Sequence, residues 1–107
     1  MTHSETINEG LLLDTIKEQL ANVPSTEVEK YKCKAPYQEC YFIMLDIGTI
    51  AVGIDYENKY NRFSDESVKT FTSEIIDFED EDSNTIAVDL SECASRVNEI
   101  MQDFLNL

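Results

Sequence analysis

Gln38 to Tyr56, QECYFIMLDIGTIAVGIDY, is the stretch whose reading decides the fold. Cys40, Tyr41, Phe42, Ile43, Met44 and Leu45 are consecutive. An extended segment here is apolar on both faces, the pattern of a strand covered on both sides. After Asp46-Ile47-Gly48 the return alternates, with Ile50, Val52, Ile54 and Tyr56 on one side and Thr49, Ala51, Gly53 and Asp55 on the other. The two segments predict a β-hairpin. A three-residue loop with Gly48 in the left-handed region closes it, placing Met44, Phe42 and Cys40 opposite Ile50, Val52 and Ile54. A four-residue loop shifts that pairing by one and serves almost as well, because the first strand is apolar on both sides.

The flanks add helices and further strands. Leu12, Leu13, Ile16, Leu20 and Val23 fall at helical spacing between Asn8 and Val23, with Asp14, Lys17 and Glu18 facing away. Pro24 ends that helix. Glu27 to Ala35 alternates as a strand, with Tyr31, Cys33 and Ala35 opposed to Lys30, Lys32 and Lys34. Glu57 to Asn61 reads as a polar turn. Ser64, Asp65 and Glu66 resemble a helix start, and Val68, Phe71, Ile75 and Phe78 continue at helical spacing. This predicts a helix over Asp65–Ser73, although Thr70, Thr72, Ile75 and Ile76 favour strand, and Glu74–Phe78 is open to either. A loop over Glu79–Asn84 and a short strand over Thr85–Leu90 follow. Ser91 then caps a last helix with the stripe Ala94, Val97, Ile100, Met101, Phe104 and Leu105. The expectation is one α+β domain over residues 1–107, with 1–7 frayed, an antiparallel sheet built on the 38–56 hairpin, and N-terminal and C-terminal helices packed on it.

Leu, Ile, Val and Phe supply 29 of the 107 residues, enough for a core and above the range that signals disorder. With 22 acids against 8 bases the formal charge is −14. Such a chain repels nucleic-acid phosphate and anionic membrane and attracts basic partners. The opening MTHSETINEG has neither a basic start nor a long apolar run, so no secretory signal is expected, and no apolar stretch is long enough for a membrane span. Cys33, Cys40 and Cys93 are expected to be reduced, buried small hydrophobes of a cytoplasmic protein.

Catalytic signatures are missing. The only histidine is His3, in the segment expected to fray, so no cysteine or serine has a placed imidazole base. No phosphate-cradling glycine motif occurs, and the cysteines lack zinc-ligand spacing. Asp80-x-Asp82-x-Asn84 matches the start of a calcium loop, but Thr85 stands where the glycine is required and Ser91 where the closing carboxylate is required. No enzyme activity, cofactor or metal is expected.

Charge placement is the strongest functional signal. Between Thr70 and Ser95 there is no Lys or Arg, while Glu74, Asp77, Glu79, Asp80, Glu81, Asp82, Asp89 and Glu92 are all acidic. Asp77 to Asp82 packs five acids around Phe78. Glu74, Asp77, Phe78, Glu79, Asp80, Glu81 and Asp82 are therefore the expected partner-binding residues, with Phe78 as apolar anchor or core residue. In size, charge and this cluster the chain resembles the small acidic immunity and antitoxin proteins of bacterial competition systems, contact-dependent inhibition included. That resemblance implies a cytoplasmic protein that neutralises one basic cognate toxin, a nuclease being the expected kind, with no direct contact to nucleic acid or membrane. Two alternatives stand beside it. One is a phage mimic of nucleic acid that blocks a defence nuclease. The other is a secretion chaperone, since the element order is similar to that of the small acidic chaperones. Oligomeric state is left open.

Overall fold

The computed structural model describes residues 9–33, 35–61 and 66–105. Helix α1 (Glu9–Asn22) is followed by a 3-10 turn (Ser25–Glu27) and strands β1 (Val28–Tyr31), β2 (Glu39–Leu45), β3 (Gly48–Asn61) and β4 (Glu66–Asp80). A second 3-10 turn (Ser91–Cys93) leads into helix α2 (Ala94–Leu105). The strands form one antiparallel sheet in the order β1-β2-β3-β4. The fold is α+β, as expected, with both helices against the sheet. Residues 1–7, expected to fray, and Asn8 lie outside the described residues, as do Lys34, Ser64 and Asp65.

Both helices form where their apolar spacing places them. Ile16 and Leu20 of α1 and Val97, Ile100 and Met101 of α2 are buried against Ile43, Ile50, Val52 and Ile54 of the sheet. Arg96 ties the helices together. Its Nε donates to the Leu20 carbonyl at 2.8 Å and its Nη2 to the Val23 carbonyl at 3.3 Å, so a cation sits on the C-terminal end of α1. The Leu20 carbonyl also accepts the Val23 N–H at 3.4 Å, and the helix dipole favours positive charge at this end. Lys17 joins Glu92 at 2.9 Å across the same seam. Replacing Arg96 with Met, which keeps much of the apolar stem, should lower stability by about 1.5–3 kcal/mol, the range for hydrogen bonds to a charged group. Urea denaturation at neutral pH measures it.

The central hairpin is present, in the register shifted by one residue from the Met44–Ile50 pairing, although its loop is shorter than either expected one. Leu45 pairs with Gly48, Ile43 with Ile50 and Tyr41 with Val52, so the loop is only Asp46-Ile47. Gln19 of α1 accounts for the short turn. Its Oε1 accepts the backbone N–H of Asp46 at 2.9 Å and of Ile47 at 3.4 Å. Gly48 has a φ of 155°, and a Cβ there would meet the Glu79 carbonyl and the end of the Phe78 ring. Since side chains alternate, the one-residue shift puts Tyr41 and Ile43 on the helix side and sends Cys40, Phe42 and Met44 to the other face.

The region after Tyr56 departs most from expectation. Glu57–Asn61 is not a turn but the end of β3, and the helix predicted from Asp65 to Ser73 is, from Glu66 onward, the first half of β4. Glu57 faces Thr70 and Asn61 faces Glu66 in an unbroken ladder. A bulge explains why the spacing looked helical. Tyr56 pairs with Phe71, Val52 with Ile75 and Ile50 with Phe78, leaving Ile76 as the extra residue between Ile75 and Asp77. Phe71, Ile75 and Phe78 therefore share one face of a strand, and their separations of four and three imitate a helix. The β-branched residues of this segment prevail once β3 offers a ladder.

The two described helices cover one face of the sheet. On the other, Tyr31 stacks on Phe42 with ring centroids 4.0 Å apart. The β1–β2 connection folds back there, setting the Tyr37 ring against Gly53, where a Cβ would strike it. The second face of β2 is thus covered by a connecting segment, and no second layer is needed. β1 stops at Tyr31, short of the expected Ala35, and Cys33 is exposed, contrary to expectation, with its thiol donating to the Tyr37 carbonyl. Cys40 and Cys93 are buried. A thiol reagent should consume one cysteine in the native protein and all three after unfolding. Replacing Cys33 with Ser should remove the native reaction.

Thr85–Leu90, expected as a strand, makes only an isolated bridge between Thr85 and Glu79 before it leaves the sheet. Ser91 opens the 3-10 turn but contributes no side-chain cap. Asp89 acts instead, its Oδ1 accepting the Ser91 N–H at 3.0 Å.

Candidate functional site

The acids of β4 and the turn after it fall into two groups once their hydrogen bonds are traced. In the first, carboxylates hold the chain in place. Asp80 Oδ1 accepts the backbone N–H of Asp82 at 3.0 Å and of Asn84 at 2.9 Å, and its Oδ2 lies 3.5 Å from Asn84 Nδ2. This carboxylate closes the turn after β4, in which Ser83 takes a φ of 66°. The loop that resembled the start of a calcium site is thus folded on itself. Among the described residues no group of three or more His, Cys, Asp or Glu is arranged to hold a metal ion. Asp77 accepts its neighbour's Phe78 N–H at 2.9 Å. Glu74 accepts the Tyr37 hydroxyl at 2.6 Å, which raises the phenol above its usual range, burial adding to the effect. The Ser91 backbone N–H and hydroxyl hold the Asp89 carboxyl below its ordinary range, and Glu92 pairs with Lys17.

The second group is Glu79, Glu81 and Asp82, whose side-chain carboxylates have no hydrogen-bond or ionic partner among the described residues. Glu81 and Asp82 are exposed at the turn and Glu79 is half-buried on β4. Register places Asp77 and Glu79 on the face of the sheet away from the helices, since they pair with Ala51 and Thr49. Phe78, between them, faces the other way and is 1% exposed. It is a core residue and no anchor for a partner, a correction to the surface expected from sequence. Asp77, Glu79, Glu81 and Asp82 remain together at one end of the sheet, with Glu74 further along the same strand.

Beside these acids lies a groove that sequence reasoning did not find. It runs between residues 73–78 of β4 and residues 85–91, with Ala94 at one end and a volume of about 680 Å³. Ile75, Ile76, Ile86 and Val88 give it apolar walls, and Glu74, Asp77 and Asp89 add carboxylates to its lining. Two features create it, the bulge at Ile76 and the departure of residues 87–90 from the sheet.

The tyrosines form a separate cluster. Tyr41 and Tyr56 both donate to Glu39 Oε1, the latter at 3.1 Å. Burial first, then the Glu39 charge and hydrogen bond, push Tyr56 up to about 12 and Tyr41 higher still. Burial first, then the Cys40 thiol, push Tyr31 up to about 12. A folded pKa above the unfolded one means the native state keeps protons that the unfolded chain releases. The stabilisation is therefore complete below the ordinary phenol value of about 10 and is lost as pH rises towards 12. Denaturation midpoints should fall steadily over that interval, and Tyr56→Phe should flatten the fall.

No helix among the described residues is long and apolar enough to cross a membrane. Comparison with protein-family models, curated proteins and solved structures gives no match.

Proposed function

We propose that this chain is a stoichiometric inhibitor of the immunity or antitoxin kind, which acts without catalysis in the bacterial cytoplasm. Its cognate partner is a basic toxin, and a nuclease fits best, because a cleft that binds phosphate also attracts carboxylates. The observation that carries the proposal is the set Glu79, Glu81 and Asp82. These carboxylates are held at one end of a rigid sheet, none with a partner among the described residues, while the neighbouring Asp80 fixes the backbone that presents them. Like charges held together cost folding stability, and a basic surface relieves that repulsion. Asp77 and Glu74 extend the acidic strip along β4.

The test is capture from a bacterial lysate at low salt, identification of the bound protein, and assay of that protein's activity with increasing inhibitor. A basic toxin silenced at a fixed molar ratio supports the proposal. An exported effector that remains unfolded in the complex points to the chaperone alternative. A defence nuclease points to the nucleic-acid mimic.

A further inference from the structure

The geometry points to a second element of recognition, which rests on the inhibitor reading and deepens it: the groove beside β4 docks an extended basic segment of the partner as an added strand. Among the described strands β4 lies at the edge of the sheet, with β3 as its one neighbour. The chain itself begins the missing pairing. Ile86 N–H donates to the Phe78 carbonyl at 2.8 Å and Asp80 N–H to the Asn84 carbonyl at 3.0 Å, forming the bridge between Glu79 and Thr85. Residues 87–90 then leave, and among the described residues no backbone hydrogen bond crosses the groove to 73–77. Because Phe78 turns its carbonyl outward and pairs alternate along an antiparallel ladder, the partners of Val52 and Ile54 also turn their backbone groups outward. These are Ile75 and Ser73. An incoming strand can bond to both, and the bulge at Ile76 separates them from the pairing already made at Phe78.

Charge selects the occupant. An open edge with apolar neighbours invites a second copy, but edge-to-edge pairing of two chains would bring Glu74 and Asp77 of each against those of the other, on a protein of net charge −14. A segment that alternates Arg or Lys with Val or Ile has the opposite preference. Its cations meet Glu74, Asp77 and Asp89 while its apolar residues enter between Ile76 and Val88. At about 680 Å³ the groove lies within the range of ligand clefts and holds a few residues of extended chain.

The test is a titration of ¹⁵N-labelled protein, followed by amide shifts, with the capped hexapeptide Arg-Val-Arg-Val-Arg-Val. Controls are the same peptide N-methylated at alternate residues and a Glu-Val counterpart. Saturable shifts at residues 73–77 and 86–90 are expected. N-methylation should weaken binding about tenfold, as two lost hydrogen bonds would. Ala87→Arg, which puts a resident cation on the groove wall, should weaken it similarly, and the Glu-Val peptide should not bind. Shifts confined to Glu81 and Asp82, or equal binding of the N-methylated peptide, would overturn strand addition. So would a dimer of the free protein that Ala87→Arg dissolves, since the occupant would then be a second copy. The captured partner separates the two levels. If it is inhibited while the peptide leaves 73–77 untouched, the groove inference fails and the inhibitor proposal stands. If the peptide fills the groove but no basic partner is inhibited, the reverse holds.

Discussion

Replacing Phe78 with Ala lowers the stability of this domain by about 3–5 kcal/mol, the cost of deleting a buried aromatic ring. The ring is 1% exposed, packs among Ile50 and the α2 residues of the core, and ends against Gly48 in the central turn. That turn is fixed by its hydrogen bonds to Gln19, so the site has little freedom to collapse. In a domain whose total stability is about 5–15 kcal/mol, the loss is a large fraction of the whole. Urea denaturation gives the value. Partner binding per folded molecule should stay unchanged at low temperature, because Phe78 faces away from Asp77 and Glu79. A binding defect in fully folded protein would return Phe78 to the interface.

The triple reversal Glu79→Lys, Glu81→Lys and Asp82→Lys has the opposite signature. These side chains hold no described residue, so the fold should survive, and relief of like-charge repulsion should leave the melting temperature equal or slightly higher. Association with a basic partner should fall about 10–10³-fold, the range over which electrostatic steering acts, and neutralisation should disappear. Asp80 must be left in place. Its carboxylate carries the turn through three hydrogen bonds, so Asp80→Lys would confuse lost binding with lost structure. The matched control is Asp80→Asn, which keeps one acceptor oxygen and should alter binding less than the triple variant.

The two helices and the hairpin were legible in sequence because each is a local pattern, an apolar stripe or an alternating run. What escaped was set by distant partners. The hairpin register follows from Gln19, some 27 residues before the turn it holds. β4 was read as helix because the Ile76 bulge gives Phe71, Ile75 and Phe78 a spacing that either structure allows. Cys33 was placed in the core by an alternation that β1 does not sustain past Tyr31. At the site, the count and position of acids were plain, but their division of labour was not. Only the backbone path shows that Asp80 and Asp89 serve turns while Glu79, Glu81 and Asp82 do not. The groove depends on where residues 87–90 leave the sheet, and no local pattern encodes that departure.

The most direct measurement is the association rate of the captured partner as a function of ionic strength, by stopped flow, for the native chain and the triple reversal. An inhibitor that works through Glu79, Glu81 and Asp82 should associate fast at low salt and slow steeply as salt rises, since the Debye length shrinks from about 30 Å at 0.01 M to about 10 Å at 0.1 M. The triple variant should be slow and nearly independent of salt. A native rate that stays flat across that range, or a triple variant that keeps the native rate, would contradict the assignment of this acidic surface to partner binding.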